Sequence, residues 1–201
     1  MIRIHDFPGG ARGLRVAWVC EEMGLAHQFA PVAYPPEKAY LALNPLGTVP
    51  TMEDGQAAIS ESIAIILYLA RAYGPTPLLP SGDEPTFAPV LELTVFAEAS
   101  LGACLNPLLA AHFGAPEGHS RNWSVQALEA RGVRLVNHLS ERLGARAWLV
   151  SQGLTLADIA IETALRIWQG PLAQPVPENL AAWRGRLADL PTYQRAIAAH
   201  C

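Results

Sequence analysis

The stretch that decides the fold is NPLGTVPTM, Asn44 to Met52. It stands between a helix-like run, PPEKAYLAL (35–43), and a turn at EDGQ (53–56) that leads into the short strand-like run AAIS (57–60). The residues from Thr51 onward suit a sheet, yet Val49-Pro50 is set directly before them. A proline has no N–H to give to a ladder, so within sheets it is confined to edges, bulges and strand starts. An X-Pro bond is also the one peptide bond that adopts cis with any frequency. The dipeptide is therefore either the ordinary start of an edge strand or a loop that presents its backbone to something else.

Towards the N-terminus, IRIHDF (2–7) alternates loosely and is expected as a first strand, which PGGARG (8–13) breaks. LRVAWVCEEMGL (14–25) carries Leu14, Val16, Ala17, Val19, Cys20 and Met23 close to a helical period, with Gly24 as its stop. HQFAPVAY (27–34) is a second short strand, weakened by Pro31, and PPEKAYLAL is a short helix with proline in its first turn. Towards the C-terminus, Asp54-Gly55 marks a tight hairpin turn. ESIAIILYLARAYG (61–74) is the clearest helix of this half and ends at Gly74-Pro75. Strand, helix, strand predicts a parallel crossover, and the pair joined by Asp54-Gly55 predicts an antiparallel hairpin. Together they make a small α/β sheet with helices packed on it.

Beyond Gly74 the pattern changes. GPTPLLPSGDEP (74–85) holds four prolines and two glycines and reads as a linker. No strand pattern follows it. FAPVLELTVFAEASLGACLNPLLAAHF (87–113) is expected as one long apolar helix, bent near Pro107. SVQALEARGVRLVNHLSERLG (124–144) is amphipathic, with Leu128, Leu135 and Leu139 on one side. TLADIAIETALRIWQ (155–169) and PENLAAWRGRLADLPTYQRAIAAH (177–200) complete an all-helical second half. The expected organisation is an α/β domain over 1–74, a linker over 75–85 and a helical domain over 86–201. In GLTLADIAIE (153–162), Thr155 can cap the helix and Asp158 can reach back to the cap N–H, with Leu154 and Ile159 at the staple positions. Such a cap is worth about 1 kcal/mol, and it reads as a structural device for a buried helix start. Trp18, Trp148, Trp168 and Trp183 read as core or interface residues.

Composition removes several functions. The 201 residues are 51% hydrophobic and 16% charged, enough for a substantial core in one large or two small domains. No apolar run reaches the roughly 18 residues of a membrane span, and MIRIHDFPGGARG (1–13) lacks the features of a signal peptide. A membrane partner is not expected. Net charge is −4 and the basic residues, nearly all Arg, are scattered, so nucleic acid is not expected either. Cys20, Cys104 and Cys201 are an odd count at wide spacing with no C-x-x-C, which fits a reducing, cytoplasmic setting and neither a zinc ribbon nor a dithiol motif. The histidines do not fall in ligand spacing, and no metal is expected.

Two places can carry chemistry. SESIAII (60–66) opens the best helix of the first half, and helix starts leave N–H groups unpaired and carry a positive partial charge. They bind carboxylates and phosphates. The Ser62 hydroxyl adds a donor and Glu61 attracts an ammonium group, so the pair suits a free α-amino acid end. Ser60 as a plain cap, with Glu61 favouring the positive helix end, is the competing reading. At Val49-Pro50, a cis bond would turn the Val49 N–H and C=O outward, where a peptide-like ligand could add as one more short strand.

LRVAWVCEEMGL, LALNPLGTVPTM, ISESIAIILYLA, FAEASL and LTLADIAI, taken in this order, resemble the glutathione transferase family, and its bacterial and fungal branch most. The resemblance spans nearly the whole chain. It implies a thioredoxin-like α/β N-terminal domain plus an all-α helical C-terminal domain, usually a homodimer, with glutathione as co-substrate. It implies that Val49 with Pro50 pairs with the cysteinyl part of glutathione and that Glu61 and Ser62 take its γ-glutamyl end. Lys38, or a residue near it, is the candidate for the glycine carboxylate. The chain departs from the family at one point. Members usually place Ser, Cys or Tyr near the start of the first helix to hold the thiolate, and many of this branch read S-R-S there. This chain reads Ala11-Arg12-Gly13, with no hydroxyl, phenol or thiol.

A thiol of pKa about 8.5 needs a positive group or N–H donors to ionise at neutral pH. The backbone N–H groups of Gly10, Ala11 and Arg12 open the first helix, and a guanidinium stays charged. Arg12 with that helix start is therefore the expected thiolate stabiliser; an ion pair of Arg12 elsewhere is the alternative. The pocket for a small hydrophobic electrophile is expected between the domains, with Phe7, Phe96, Ser100 and Cys104 as its wall and His112 as a further candidate. Each of these also reads as plain core. The expected function is conjugation of glutathione to small electrophiles in detoxification. The alternatives are a glutathione-dependent isomerase or ether-cleaving enzyme, and a non-catalytic glutathione- or ligand-binding protein. A thiol–disulfide reductase is not expected, since no cysteine opens the first helix.

Overall fold

The computed structural model describes residues 1–119, 121–150 and 152–200, so Cys201 lies outside the described residues. Two compact units divide the chain: Met1–Ser81 together with the chain from Leu187 onward, and Gly82–Arg186.

The first unit is built on a four-stranded sheet. β1 (Ile2–Asp6) runs parallel to β2 (His27–Pro31), with Ile2 opposite His27 and Ile4 opposite Phe29. The helix between them, α1 (Ala11–Glu22), makes the crossover that parallel strands require. α2 (Lys38–Leu43) precedes β3 (Thr51–Asp54), which lies antiparallel to β1. β4 (Ala57–Ser60) returns through a two-residue turn at Gly55-Gln56, antiparallel to β3, with Asp54 opposite Ala57. The strand order is β2-β1-β3-β4, and α3 (Ser62–Ala72) follows β4. The thioredoxin-like α/β arrangement expected from the sequence is therefore present. Ile4, Val16, Val19, Met52, Ile65, Ile66 and Leu69 are all but sealed from solvent and form its core.

The second unit is helical. α4 (Phe87–Phe96) continues through a π-helical turn (Ala97–Gly102) into α5 (Ala103–Gly114). α6 (Trp123–Leu143), α7 (Leu156–Gln169) and α8 (Glu178–Ala188) complete it. A π turn interrupts the long helix at Ala97–Gly102, and Pro107 sits inside α5. An extra residue in a helical turn disturbs a helix as a proline does. By length and composition the run Phe87–Gly114 is apolar enough to span a membrane, a test that a helix in the core of a folded unit also passes. Glu92 and Glu98 interrupt it, so a count of unbroken apolar residues passes it over. Val90, Leu93, Ala97, Leu101, Cys104 and Leu105 on this run are buried in the unit's core.

On α6 the buried stripe is Val125, Gly132, Val136, Leu139 and Leu143, while Leu128 and Leu135 are only half-buried at its flank. α7 is buried almost all round and carries the expected capping box. The Thr155 N–H and hydroxyl donate to Asp158 Oδ2 at 3.0 and 2.8 Å, and the Leu149 N–H donates to Oδ1 at 2.9 Å.

The final stretch breaks at Pro191, and α9 (Pro191–His200) packs along α1 in the first unit. The Tyr193 ring meets Trp18 edge-on with centroids 4.6 Å apart, and Arg195 Nε reaches Glu21 Oε2 at 2.6 Å. The sequence division had put these residues with the helical domain over 86–201. Helical periodicity shows which face of α9 is apolar but not which partner covers it.

Candidate functional site

Three strands end at one edge of the sheet in register. His5 of β1 pairs with Thr51 of β3, and Thr51 pairs with Ser60 of β4. Just past this row come Asp6 with the loop 7–10, Val49-Pro50 and Glu61-Ser62. Stretches more than 50 residues apart in sequence are thus brought to one edge by antiparallel pairing.

The Val49–Pro50 peptide is cis, as are Tyr34–Pro35 and Gly74–Pro75. Val49 is half-buried and lies outside the β1–β3–β4 ladder. The loop before it is tied down from within. Asn44, 4% exposed, donates from Nδ2 to Thr48 O at 2.8 Å and to Thr51 Oγ1 at 3.1 Å, and its Oδ1 accepts the Leu46 N–H at 3.2 Å. The Tyr40 hydroxyl donates to the same Thr48 carbonyl and sits 2.9 Å from Thr51 Oγ1. Buried polar groups satisfied in this way fix a loop without help from ladder bonds. Sequence reasoning passed over Asn44 and Tyr40; the Asn-Pro turn signal was the available hint for the first. Lys38 opens α2 and is exposed.

Glu61 precedes α3 with φ 71°, a left-handed conformation uncommon for a residue with a side chain. It is exposed, while its carbonyl accepts the Ile65 N–H and so starts the helix. Ser62 is buried, and Arg15 Nη1 donates to its Oγ at 2.7 Å. Arg15 is wholly buried on α1. A serine oxygen that accepts from a guanidinium still has its own proton to donate. The start of α3 therefore offers backbone N–H groups, one hydroxyl proton and a buried cation beneath them, with a carboxylate at the rim.

The start of α1 differs from what the sequence led us to expect. Asp6 lies on the inward side of β1 with Ile2 and Ile4, as strand alternation dictates. Its Oδ1 accepts the Phe7 N–H and its Oδ2 accepts the Gly13 N–H, each at 2.8 Å. It thus caps α1 from outside the helix, satisfying a donor that a cap residue would otherwise take. The expectation that Gly10 offers its N–H to a thiolate is corrected, because that N–H donates to Phe7 O at 2.9 Å. A carboxylate already at the helix start also opposes a second anion there. Ala11 and Arg12 occupy the first two positions of α1, both half-buried.

Of the expected electrophile-pocket residues, Phe7 is half-buried in the first unit, its ring edge-on to exposed Tyr34. Phe96 and Ser100 line an apolar groove of the second unit with Phe87, Leu91 and Val95. Cys104 is fully buried and behaves as a small apolar core residue; burial pushes its thiol pKa up, partly offset by Arg131 and Arg134. His112 lines a separate cavity of the second unit with Arg121 and Glu129. Burial also lifts the Cys20 thiol to about 12, with Glu21 and Asp54 adding to the rise, so it is no nucleophile at neutral pH. Among the described residues no group of three or more His, Cys, Asp or Glu side chains stands together as a metal site would require.

Residues 12–72 match the family described as Glutathione S-transferase, N-terminal domain. Glutathione S-transferase 3 of Zea mays is 27% identical over 98% of this chain and 94% of its own length. The theta class glutathione S-transferase of Xanthomonas axonopodis pv. citri, solved with glutathione bound, superposes with a TM-score of 0.82 at 27% identity, covering 98% of this chain and 96% of its own. A glutathione transferase homolog of Lodderomyces elongisporus, solved with two GSH per subunit, superposes at 0.85 and 21% identity over 98% of this chain and 97% of its own, a likeness of fold.

Proposed function

Related to the glutathione S-transferases along nearly its whole length, this chain, we propose, binds glutathione at the edge where β1, β3 and β4 end and conjugates it to small hydrophobic electrophiles. The observation that carries the reading is the row His5–Thr51–Ser60, which brings Val49-Pro50 and Glu61-Ser62 side by side. The Val49 backbone takes the cysteinyl part as a short added strand. The α3 start and the Ser62 hydroxyl take the γ-glutamyl carboxylate, with the Arg15 charge beneath, and Glu61 takes the ammonium group. Lys38 is the candidate for the glycine carboxylate.

In the reaction the thiolate attacks the electrophilic carbon, the sulfur–carbon bond forms, the leaving group departs with its electron pair, and the thiol proton passes to solvent. The protein contributes positioning and thiolate stabilisation. With Gly10 engaged and Asp6 at the helix start, stabilisation falls to Arg12 and the N–H groups of Ala11 and Arg12. We place the protein in a reducing, cytoplasmic setting, supported by the free thiols of Cys20 and Cys104. A homodimer is proposed from the exposed Leu46 and the apolar groove on α4.

The Asp6 carboxylate at the α1 start is the one observation favouring a second reading, a protein that binds glutathione without turnover. Retention on immobilised glutathione followed by conjugation of a chlorodinitrobenzene separates the two. Retention with turnover is the expected result; retention alone supports the binder, and no retention removes both. Arg12→Ala is expected to lower the conjugation rate about tenfold and raise the pKa of the bound thiol by about one unit, the equivalent of a single charged hydrogen bond. An unchanged rate and thiol pKa would exclude Arg12 as the stabiliser.

A further inference from the structure

The buried pair Asp6 and His200 joins the first strand to the last helix, and the reading above makes no use of His200. Asp6 is 1% and His200 2% exposed. His200 Nε2 lies 2.9 Å from Asp6 Oδ2, which accepts from it, and the His200 carbonyl accepts the Gly9 N–H at 3.3 Å. The ring packs on Phe29 of β2 with centroids 4.5 Å apart. Its other nitrogen, Nδ1, is buried and finds no hydrogen-bond partner among the described residues. An unpaired buried polar atom costs free energy that a phenyl or isobutyl group would not. Packing alone therefore does not account for a histidine here. What the imidazole adds is a donor aimed at the carboxylate.

That carboxylate holds both ends of one loop. Phe7 N–H and Gly13 N–H, the first and last amides of residues 7–13, both donate to Asp6. No slack remains, since a Cβ on Gly13 would stand 2.0 Å from Asp6 Oδ2 and one on Gly10 2.3 Å. His200 fixes the carboxylate from the other side and ties Gly9 through its own carbonyl. We propose that His200 and Asp6 are a positioning pair: the last turn of α9 sets the geometry of loop 7–13 and so the placement of Ala11 and Arg12 in the site. The proposal rests on the glutathione reading of this edge. Neither residue touches the ligand; both act through the loop.

The test combines amide hydrogen exchange with kinetics on the full-length protein. In His200→Ala, exchange at Phe7 and Gly13 is expected to rise about tenfold while the α7 amides stay as they were. The kcat for conjugating a chlorodinitrobenzene is expected to fall about tenfold with KM for glutathione within about twofold, because the grip at Val49 and Glu61-Ser62 is separate. His200→Gln, whose amide N–H reaches the same carboxylate, is expected to restore both. Should His200→Ala unfold the first unit, His200→Asn, polar but too short to reach Asp6, takes its place. Unchanged loop exchange and kcat, or a glutamine variant no better than alanine, overturns the pair. If the wild type neither retains nor turns over glutathione, the proposed function falls, while exchange at Gly13 and its rescue by glutamine still decide the role of His200.

Discussion

Gly13 stands at the third position of α1, and its backbone N–H is one of the donors that a helix start leaves open. Asp6 fills that need from the neighbouring strand, and the glycine's missing side chain is what lets the carboxylate approach. Gly13→Ala is expected to cost about 1–3 kcal/mol, as overpacking of a closed site does, because Asp6 is buried with three partners and cannot swing aside. A urea titration against wild type checks this; an unchanged midpoint would mean that the loop has room. In the sequence this glycine belongs to a run that reads only as a break after the first strand. The inward direction of Asp6 was legible, since it shares strand parity with Ile2 and Ile4. Its partner His200 was not, because no local pattern links residues 194 positions apart.

At the scale of elements, the start of α7 was the most legible feature in the chain. Thr155 and Asp158 are spaced for a capping box and form one. Asp158 also accepts the Leu149 N–H, a contact nine residues back that spacing rules do not anticipate. Asp158→Ala leaves the Leu149 and Thr155 N–H groups buried without acceptors, so a loss of about 2–3 kcal/mol is expected in chemical denaturation. Burial raises the Asp158 pKa above its usual value, and the hydrogen bonds from Leu149 and Thr155 offset only part of that rise. The folded state therefore binds this proton more tightly than the unfolded chain does. The group's contribution to stability is full below the ordinary carboxylate pKa and is lost as pH rises through the raised folded value. Wild type should gain stability relative to Asp158→Asn on acidification through that window. A pH-independent difference between the two would count against the buried carboxylate as the cause. The long helix 87–114 was legible as a continuous element, but the π turn inside it was not. Proline is visible in a sequence, whereas a π turn depends on how the surrounding side chains pack.

At the scale of the whole molecule, the proposed homodimer should give a sedimentation mass about twice the 21.6 kDa of one chain. A monomer mass at micromolar concentration would remove it. Leu46 is 80% exposed and Val95 41%, and an apolar surface of this kind favours association. By itself the sequence determined the order of elements in the α/β half, the parallel β1–β2 pair and the β3–β4 hairpin, the cap of α7 and the two motifs at Val49-Pro50 and Glu61-Ser62, but not the β1–β3 pairing that joins the two pairs into one sheet. These depend on hydrophobic period, turn chemistry and capping spacing, all of which act within a few residues. Only the tertiary structure decided that α9 packs on α1, that Asp6 fills the helix start beside Arg12, that Arg15 lies under Ser62, and that Asn44 and Tyr40 hold the loop before Val49. The α9–α1 packing and the Arg15–Ser62 bond join segments distant in the chain, and the other two are side-chain bonds across loops that no spacing rule specifies. Such contacts are chosen by complementary burial and by the need to satisfy buried polar groups, and neither condition exists until the chain has closed on itself.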